Sequence, residues 1–253
     1  MTSLLQLDDV RVRFGEHEIL HGIDIAMGRE RIGIVGESGA GKSMLGRAVM
    51  RLLPPGAALS GRIAFDGVTL DARNVGAVRG RRIALIPQDP RFSLNPAMTV
   101  GDQIAEVLRV HRRFAAGDAR RETLRLLDAV RMRDPALVAR RYPHQLSGGI
   151  GQRAMIAMML APDPDLLIAD EPTSALDASV AGGILALLDS EVARRRMGIV
   201  LISHDLDLVA SFCDRVLVMK DGEIVERLPA SRLAGARHPY THQLLDARLR
   251  LGR

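Results

Sequence analysis

Cysteine, lysine and aromatic residues are nearly absent from this sequence. Its 253 residues include one cysteine, no tryptophan, two tyrosines and five phenylalanines. A lone cysteine, Cys213, excludes an internal disulfide and a cysteine-based metal cluster. No run approaches the roughly 18 apolar residues of a membrane span, and the longest candidates, 155–161 and 166–169, are core-sized. The opening Met1-Thr2-Ser3 has neither a basic n-region nor an apolar h-region behind it, so no signal peptide is expected. These absences predict a soluble protein of a reducing compartment, built as one large domain or two small ones.

Lysine is scarce for a chain this basic. Of 35 basic residues only Lys42 and Lys220 are lysine, and the formal charge is +5. The arginines fall in pairs (Arg81-Arg82, Arg112-Arg113, Arg120-Arg121, Arg140-Arg141) and one triplet at 194–196. With so few aromatics to stack on bases, nucleic acid is not the expected partner. Solvated helix faces, with an acidic lipid surface nearby, are the expected use of the charge. A lysine that persists inside a motif carries extra weight.

Apolar periodicity divides the chain. Segments 5–14, 19–27, 31–35, 61–66 and 83–86 read as strands. Between 100 and 141 the period becomes helical, with 112–119 expected to be a mobile loop. Beyond it, 155–160 is helical, 166–169 a buried strand, 180–196 a helix and 199–202 a strand. Segments 216–219 and 224–225 flank Asp221-Gly222, the signature of a hairpin turn. Strands alternating with helices predict a parallel α/β sheet, with antiparallel strands early and a helical insert in the middle.

The strongest chemical signal is Gly36-Glu37-Ser38-Gly39-Ala40-Gly41-Lys42-Ser43, which fits G-x-x-x-x-G-K-[ST]. It follows an apolar strand and precedes a helical stretch read as running to Leu53. Glycines let successive backbone N–H groups turn around phosphate oxygens, and the helix adds its positive end. Lys42 reaches β- and γ-phosphates, and the Ser43 hydroxyl is a ligand for Mg²⁺. A second signal is the apolar run 166–169 closed by Asp170-Glu171. At a strand tip beside a phosphate loop, Asp170 holds Mg²⁺ through water and Glu171 polarises the water attacking the γ-phosphate. His204, at the end of the strand that follows, is expected to contact the γ-phosphate, because open α/β sheets bind ligands at that edge. A third, Leu146-Ser147-Gly148-Gly149, offers bare amides and a hydroxyl at a helix start but no lysine. Two anion loops and one pair of acids suggest that this loop faces a nucleotide held by another chain.

Taken together, these residues resemble the ATP-binding subunit of ABC transporters across nearly the whole chain. Residues 36–43 are similar to its Walker A motif, 146–152 to its signature, 166–171 to Walker B and Ser174-Ala175-Leu176-Asp177 to its D-loop. The resemblance implies an α/β fold: a RecA-like P-loop core (about 1–88 and 162–230), an N-terminal antiparallel β part, an inserted helical subdomain (about 89–161) and a short tail (231–253). It implies an ATPase with ATP and Mg²⁺ as ligands, two such domains meeting head to tail around two nucleotides. In that family pattern Phe14 stacks on adenine, Met44 extends the phosphate loop, Gln88 of the Q-loop serves catalysis and the metal, and His204 is the switch histidine. Ser147, Gly148, Gly149 and Asp177 meet the partner's nucleotide. Implied partners are two membrane permeases, a second ATP-binding subunit (a different chain is favoured, a second copy of this one is the alternative), and an external solute-binding protein. The implied location is the cytoplasmic face of the cell membrane.

Finer likenesses concern the cargo. Gln88-Asp89-Pro90-Arg91-Phe92-Ser93-Leu94-Asn95-Pro96 resembles the Q-loop of dipeptide, oligopeptide and nickel importers, and the tail segment 238–245 (HPYTHQLL) resembles that branch's C-terminal stretch. The chain ends at Arg253 without a further cysteine cluster, which leans towards the shorter nickel-type subunit over the peptide type. A soluble ABC-type ATPase acting on nucleic acid or ribosomes is the alternative. The signature departs from the family at Ile150 and Gly151, where glutamine and a longer side chain are usual. Gly151 near a helix start costs up to about 1 kcal/mol relative to alanine.

Overall fold

The computed structural model describes residues 3–88, 93–173, 176 and 178–251. The chain divides into two compact units, Met1–Ala77 with Met197–Arg253, and Val78–Arg196.

The first unit holds two sheets. In one, β1 (Leu5–Phe14), β2 (His17–Met27), β4 (Ala57–Phe65) and the short β5 (Val68–Thr69) pair antiparallel in the order β2-β1-β4-β5. Leu5, Leu7, Val10 and Val12 of β1 are all buried, although 7 to 10 breaks a period of two. A register shift between Leu7 and Val10, with Asp9 at φ 47°, absorbs the extra residue and keeps both halves facing inward. In the other sheet β3 (Arg31–Val35) lies parallel to both β8 (Gly198–Ile202) and β9 (Arg215–Lys220), and β10 (Glu223–Pro229) returns antiparallel to β9. β8 is buried throughout and β3 from Ile32 onward, and both read as near-continuous apolar runs, as interior parallel strands do. Asp221 and Gly222 both take positive φ, so the β9–β10 hairpin turns as Asp-Gly predicts.

Three helices complete this unit. α1 (Lys42–Val49) stops four residues short of Leu53, the end expected from periodicity. Met50 closes it, Arg51 turns left-handed at φ 50° and Pro54-Pro55 forbid its continuation. α7 (Leu206–Phe212) begins at Asp205, whose carboxylate accepts from the Asp207 and Leu208 amides. α8 (Pro239–Leu251) closes the chain.

The second unit carries β6 (Ile83–Ile86) and β7 (Leu166–Asp170), parallel in register from Ile83↔Leu166 to Ile86↔Ala169. Its helices are α2 (Val100–Arg112), α3 (Ala116–Ala129), α4 (Pro135–Ala139), α5 (Gly148–Leu160) and α6 (Ala178–Arg195). The expected mobile loop at 112–119 is corrected. Arg113 ends α2 in the left-handed region at φ 56°, and α3 has already begun at Ala116. Arg195 is an exception to the expectation that arginines populate solvated faces, which Arg121, Arg125 and Arg194 follow. Its side chain is 5% exposed and bonds Glu191, Asp163 and the Leu160 carbonyl, tying α6 to the end of α5.

Candidate functional site

In the first unit, β3 delivers the chain into the glycine-rich loop and α1 leads it away. Gly36 passes so close to β9 that a Cβ there would lie 2.1 Å from the Met219 carbonyl oxygen. Gly41 takes φ +97° at the start of α1, with no side chain capping that end. The first-turn amides of α1 are therefore presented to the loop. Lys42 is only 6% exposed, and its Nζ donates to the carbonyls of Gly36 (2.7 Å) and Glu37 (2.8 Å). The one lysine in this motif thus sits inside the turn of the loop. Ser43 and Met44 are half-buried in the first turn of α1, Ala40 is buried, and Glu37, Ser38 and Gly39 face solvent. The loop is braced from outside by the Gly222 amide, which donates to the Ala40 carbonyl at 3.1 Å.

Two further expected residues belong to this unit. Phe14 is half-buried at the last position of β1, opposite His17 and Ala57. His204 is exposed and lies two residues beyond β8, which ends at Ile202 rather than at the histidine. The Ser203 amide donates to the Ile34 carbonyl, so His204 leaves the sheet at the edge where β3 enters the phosphate loop.

The second unit carries the acids. Asp170 is the buried last residue of β7, and Glu171 follows it at φ 46°. Gln88 and Glu171 each stand two positions past the paired residues Ile86 and Ala169, and the Gln88 Nε2 donates to a Glu171 carboxylate oxygen at 3.3 Å. Pairing of two neighbouring strands thus brings together a glutamine and a glutamate 83 positions apart. Ser147 stands at the N-cap of α5, exposed and without a capping bond from its side chain. At Gly149 a Cβ would meet the Val180 Cγ1 at 2.8 Å, so α6 approaches α5 where only glycine fits. Ser147, Gly148, Gly149 and Ile150 line a cleft of about 980 Å³ with Arg131 and Arg153 among its other walls. Asp177, with Ser174 and Ala175 of the same motif and residues 89–92 of the Q-loop segment, lies outside the described residues.

Two contacts were not foreseen from the sequence. The Gln152 Nε2 donates to the Pro172 carbonyl at 2.7 Å, linking α5 to the segment directly after the acids. The Tyr240 hydroxyl of α8 accepts the Glu37 amide at 2.9 Å, reaching the phosphate loop from 203 positions away. Burial pushes the Tyr240 phenol up from its ordinary pKa, so it stays neutral at physiological pH. The tail 238–245 stands out in the sequence, but nothing there reveals the loop as its contact.

The residue types fit nucleoside triphosphate chemistry. A buried ammonium and uncapped helix amides suit phosphate oxygens, and a hydroxyl and a carboxylate are the hard oxygen donors that Mg²⁺ takes. Residues 21–174 match the ABC transporter family. The chain is 44% identical over 255 residues to a probable peptide ABC transporter ATP-binding protein, y4tR, of Sinorhizobium fredii, covering 96% of this chain and 76% of that one. It is 41% identical over 256 residues to the oligopeptide transport ATP-binding protein OppD of Bacillus subtilis, covering 97% and 72%. Among solved structures it is similar to a dimeric ATP-binding cassette, MJ0796, bound to ADP and phosphate after hydrolysis. There the TM-score is 0.79 at 27% identity, over 89% of this chain and 98% of that one.

Proposed function

The chain belongs to the ABC transporter family, and from that premise we propose that it is the ATP-hydrolysing subunit of an importer of small peptides. ATP hydrolysis coupled to transport follows from the family, and the phosphate loop with its buried Lys42 is the observation that carries the nucleotide part. The peptide cargo rests on relatives whose names state peptide and oligopeptide transport. Neither of those names mentions nickel, and we place that cargo second. Relatives that are transporter subunits disfavour the soluble ATPase acting on nucleic acid.

In this reading the loop amides and Lys42 bind the β- and γ-phosphates, and Phe14 stacks on the adenine. Ser43, Asp170 and Gln88 would hold Mg²⁺, which supplies charge neutralisation on the phosphates. Glu171 accepts the proton of the attacking water, with Gln88 orienting its carboxylate, and His204 contacts the γ-phosphate. Ser147, Gly148, Gly149 and Asp177 meet the nucleotide of a second ATP-binding subunit. Closure of the two around ATP drives two permeases fed by a solute-binding protein, with this chain docked peripherally on the cytoplasmic face of the membrane.

Phosphate release from the assembled transporter tests the assignment of chemistry. Glu171→Gln should lower turnover by at least about a hundredfold while ATP binding is retained, the weight of a positioned general base. Lys42→Ala should lose ATP binding itself. Turnover within about twofold of wild type for either variant would refute the roles given to these groups.

A further inference from the structure

Glu37 is gripped on both backbone atoms. Its carbonyl accepts from Lys42 Nζ at 2.8 Å and from the Ala40 amide at 3.2 Å, and its amide donates to the Tyr240 hydroxyl at 2.9 Å. The peptide that helps to seat the lysine is therefore itself held by a phenol from the last helix.

That phenol is not a passing neighbour. Tyr240 is 3% exposed, and the Lys220 ammonium lies 5.2 Å from its ring centroid, so the chain's second lysine packs on this ring. α8 is anchored independently of the loop. The Glu226 carboxylate of β10 accepts from the Arg237 and His238 amides and from the Thr241 hydroxyl, and His238 Nδ1 accepts the Tyr240 amide. A side chain needed only to fill space here would serve equally as phenylalanine. What the hydroxyl adds is a bond to the phosphate loop.

We propose that Tyr240 is a positioning residue of the nucleotide site: its hydroxyl fixes the Glu37 peptide, and through it the carbonyl that seats Lys42. The inference deepens the nucleotide reading above and rests on it. It makes ATP affinity depend on the docking of α8, a helix that contributes no group to the phosphates. Its effect is on binding, because the bond lies on the loop rather than among the groups that act on the attacking water.

Titration of the full chain with Mg·ATP, alongside thermal unfolding and amide hydrogen exchange, tests this. Tyr240→Phe keeps the ring, its packing and its contact with Lys220. The expected result is ATP binding weaker by roughly three- to tenfold, the weight of one hydrogen bond. The melting temperature should fall less than in Thr241→Val and exchange at the Glu37 amide should be faster, with no change at the α8 amides. Thr241→Val serves as the comparison, since it loosens α8 from Glu226 but leaves the hydroxyl in place, and it should lower the melting temperature more than it weakens ATP. Tyr240→Phe binding as tightly as wild type would overturn the proposal. So would weaker binding accompanied by the same loss of melting temperature as Thr241→Val, which marks a purely structural role. A wild-type chain that bound no ATP would instead overturn the nucleotide reading itself.

Discussion

Cys213 shows how far burial alone decides the chemistry of a residue. It closes α7 with its thiol against β3, 8% exposed, where a Cβ on Gly33 would come within 3.1 Å of its Sγ. Burial pushes the thiol up to about 12, the neighbouring Asp214 pushes the same way, and Arg31 opposes them. The thiolate, which is the reactive form, is then scarcer at neutral pH by roughly a thousandfold than in an ordinary cysteine. A disulfide reagent such as Ellman's should therefore label the native chain roughly a hundred- to a thousandfold more slowly than the chain in guanidinium. Comparable rates in the two would show that α7 does not cover the thiol. Chemistry written in residue order was legible at this scale, and the phosphate loop needed only its own eight letters. The Tyr240 contact was hidden because neither partner carries a mark of the other, and the Gln88–Glu171 bond follows from strand register, which the letters do not contain.

Elements with local signals were foreseen, and those set by tertiary packing were not. The β9–β10 hairpin is announced by Asp221-Gly222, and β7 by its apolar run. α7 has only seven residues and a short apolar face, so it exists through its Asp205 cap and its packing on β3. α1 was read too long because its periodicity continues past Val49, while the left-handed turn at Arg51 and the prolines decide the end. One carboxylate, Glu226, receives three of the bonds at the start of α8, and a pH effect follows. Burial alone would raise the pKa of Glu226, but the bonds from Thr241, Arg237 and His238 outweigh it, and the net shift is downward. A depressed carboxylate contributes stability that is present above its unfolded pKa, about 4.3, and is lost as pH falls through the lower folded value. The margin in melting temperature of wild type over Glu226→Gln should hold at pH 7 and narrow steadily below about pH 5. A margin independent of pH would remove the carboxylate's charge from the account of how α8 is held.

At the scale of the whole chain, the proposed function assigns nucleotide chemistry to each unit separately: the phosphate loop to one, the acids and the signature loop to the other. In the proposed importer the departures at Ile150 and Gly151 are compatible with pairing to a different, more regular subunit. Size-exclusion chromatography of Glu171→Gln with Mg·ATP should show a dimer, either with itself or on mixing with a second ATP-binding subunit. A monomer under both conditions would remove the head-to-tail arrangement. No helix among the described residues is long and apolar enough to cross a membrane.

Protein synthesis runs in one direction, and this loop waits on residues far downstream of it. The motif at 36–43 leaves the ribosome before its braces, which come from Gly222 and Tyr240, made some two hundred residues later. A nascent chain carries its nucleotide motif long before it can hold that motif in its final shape.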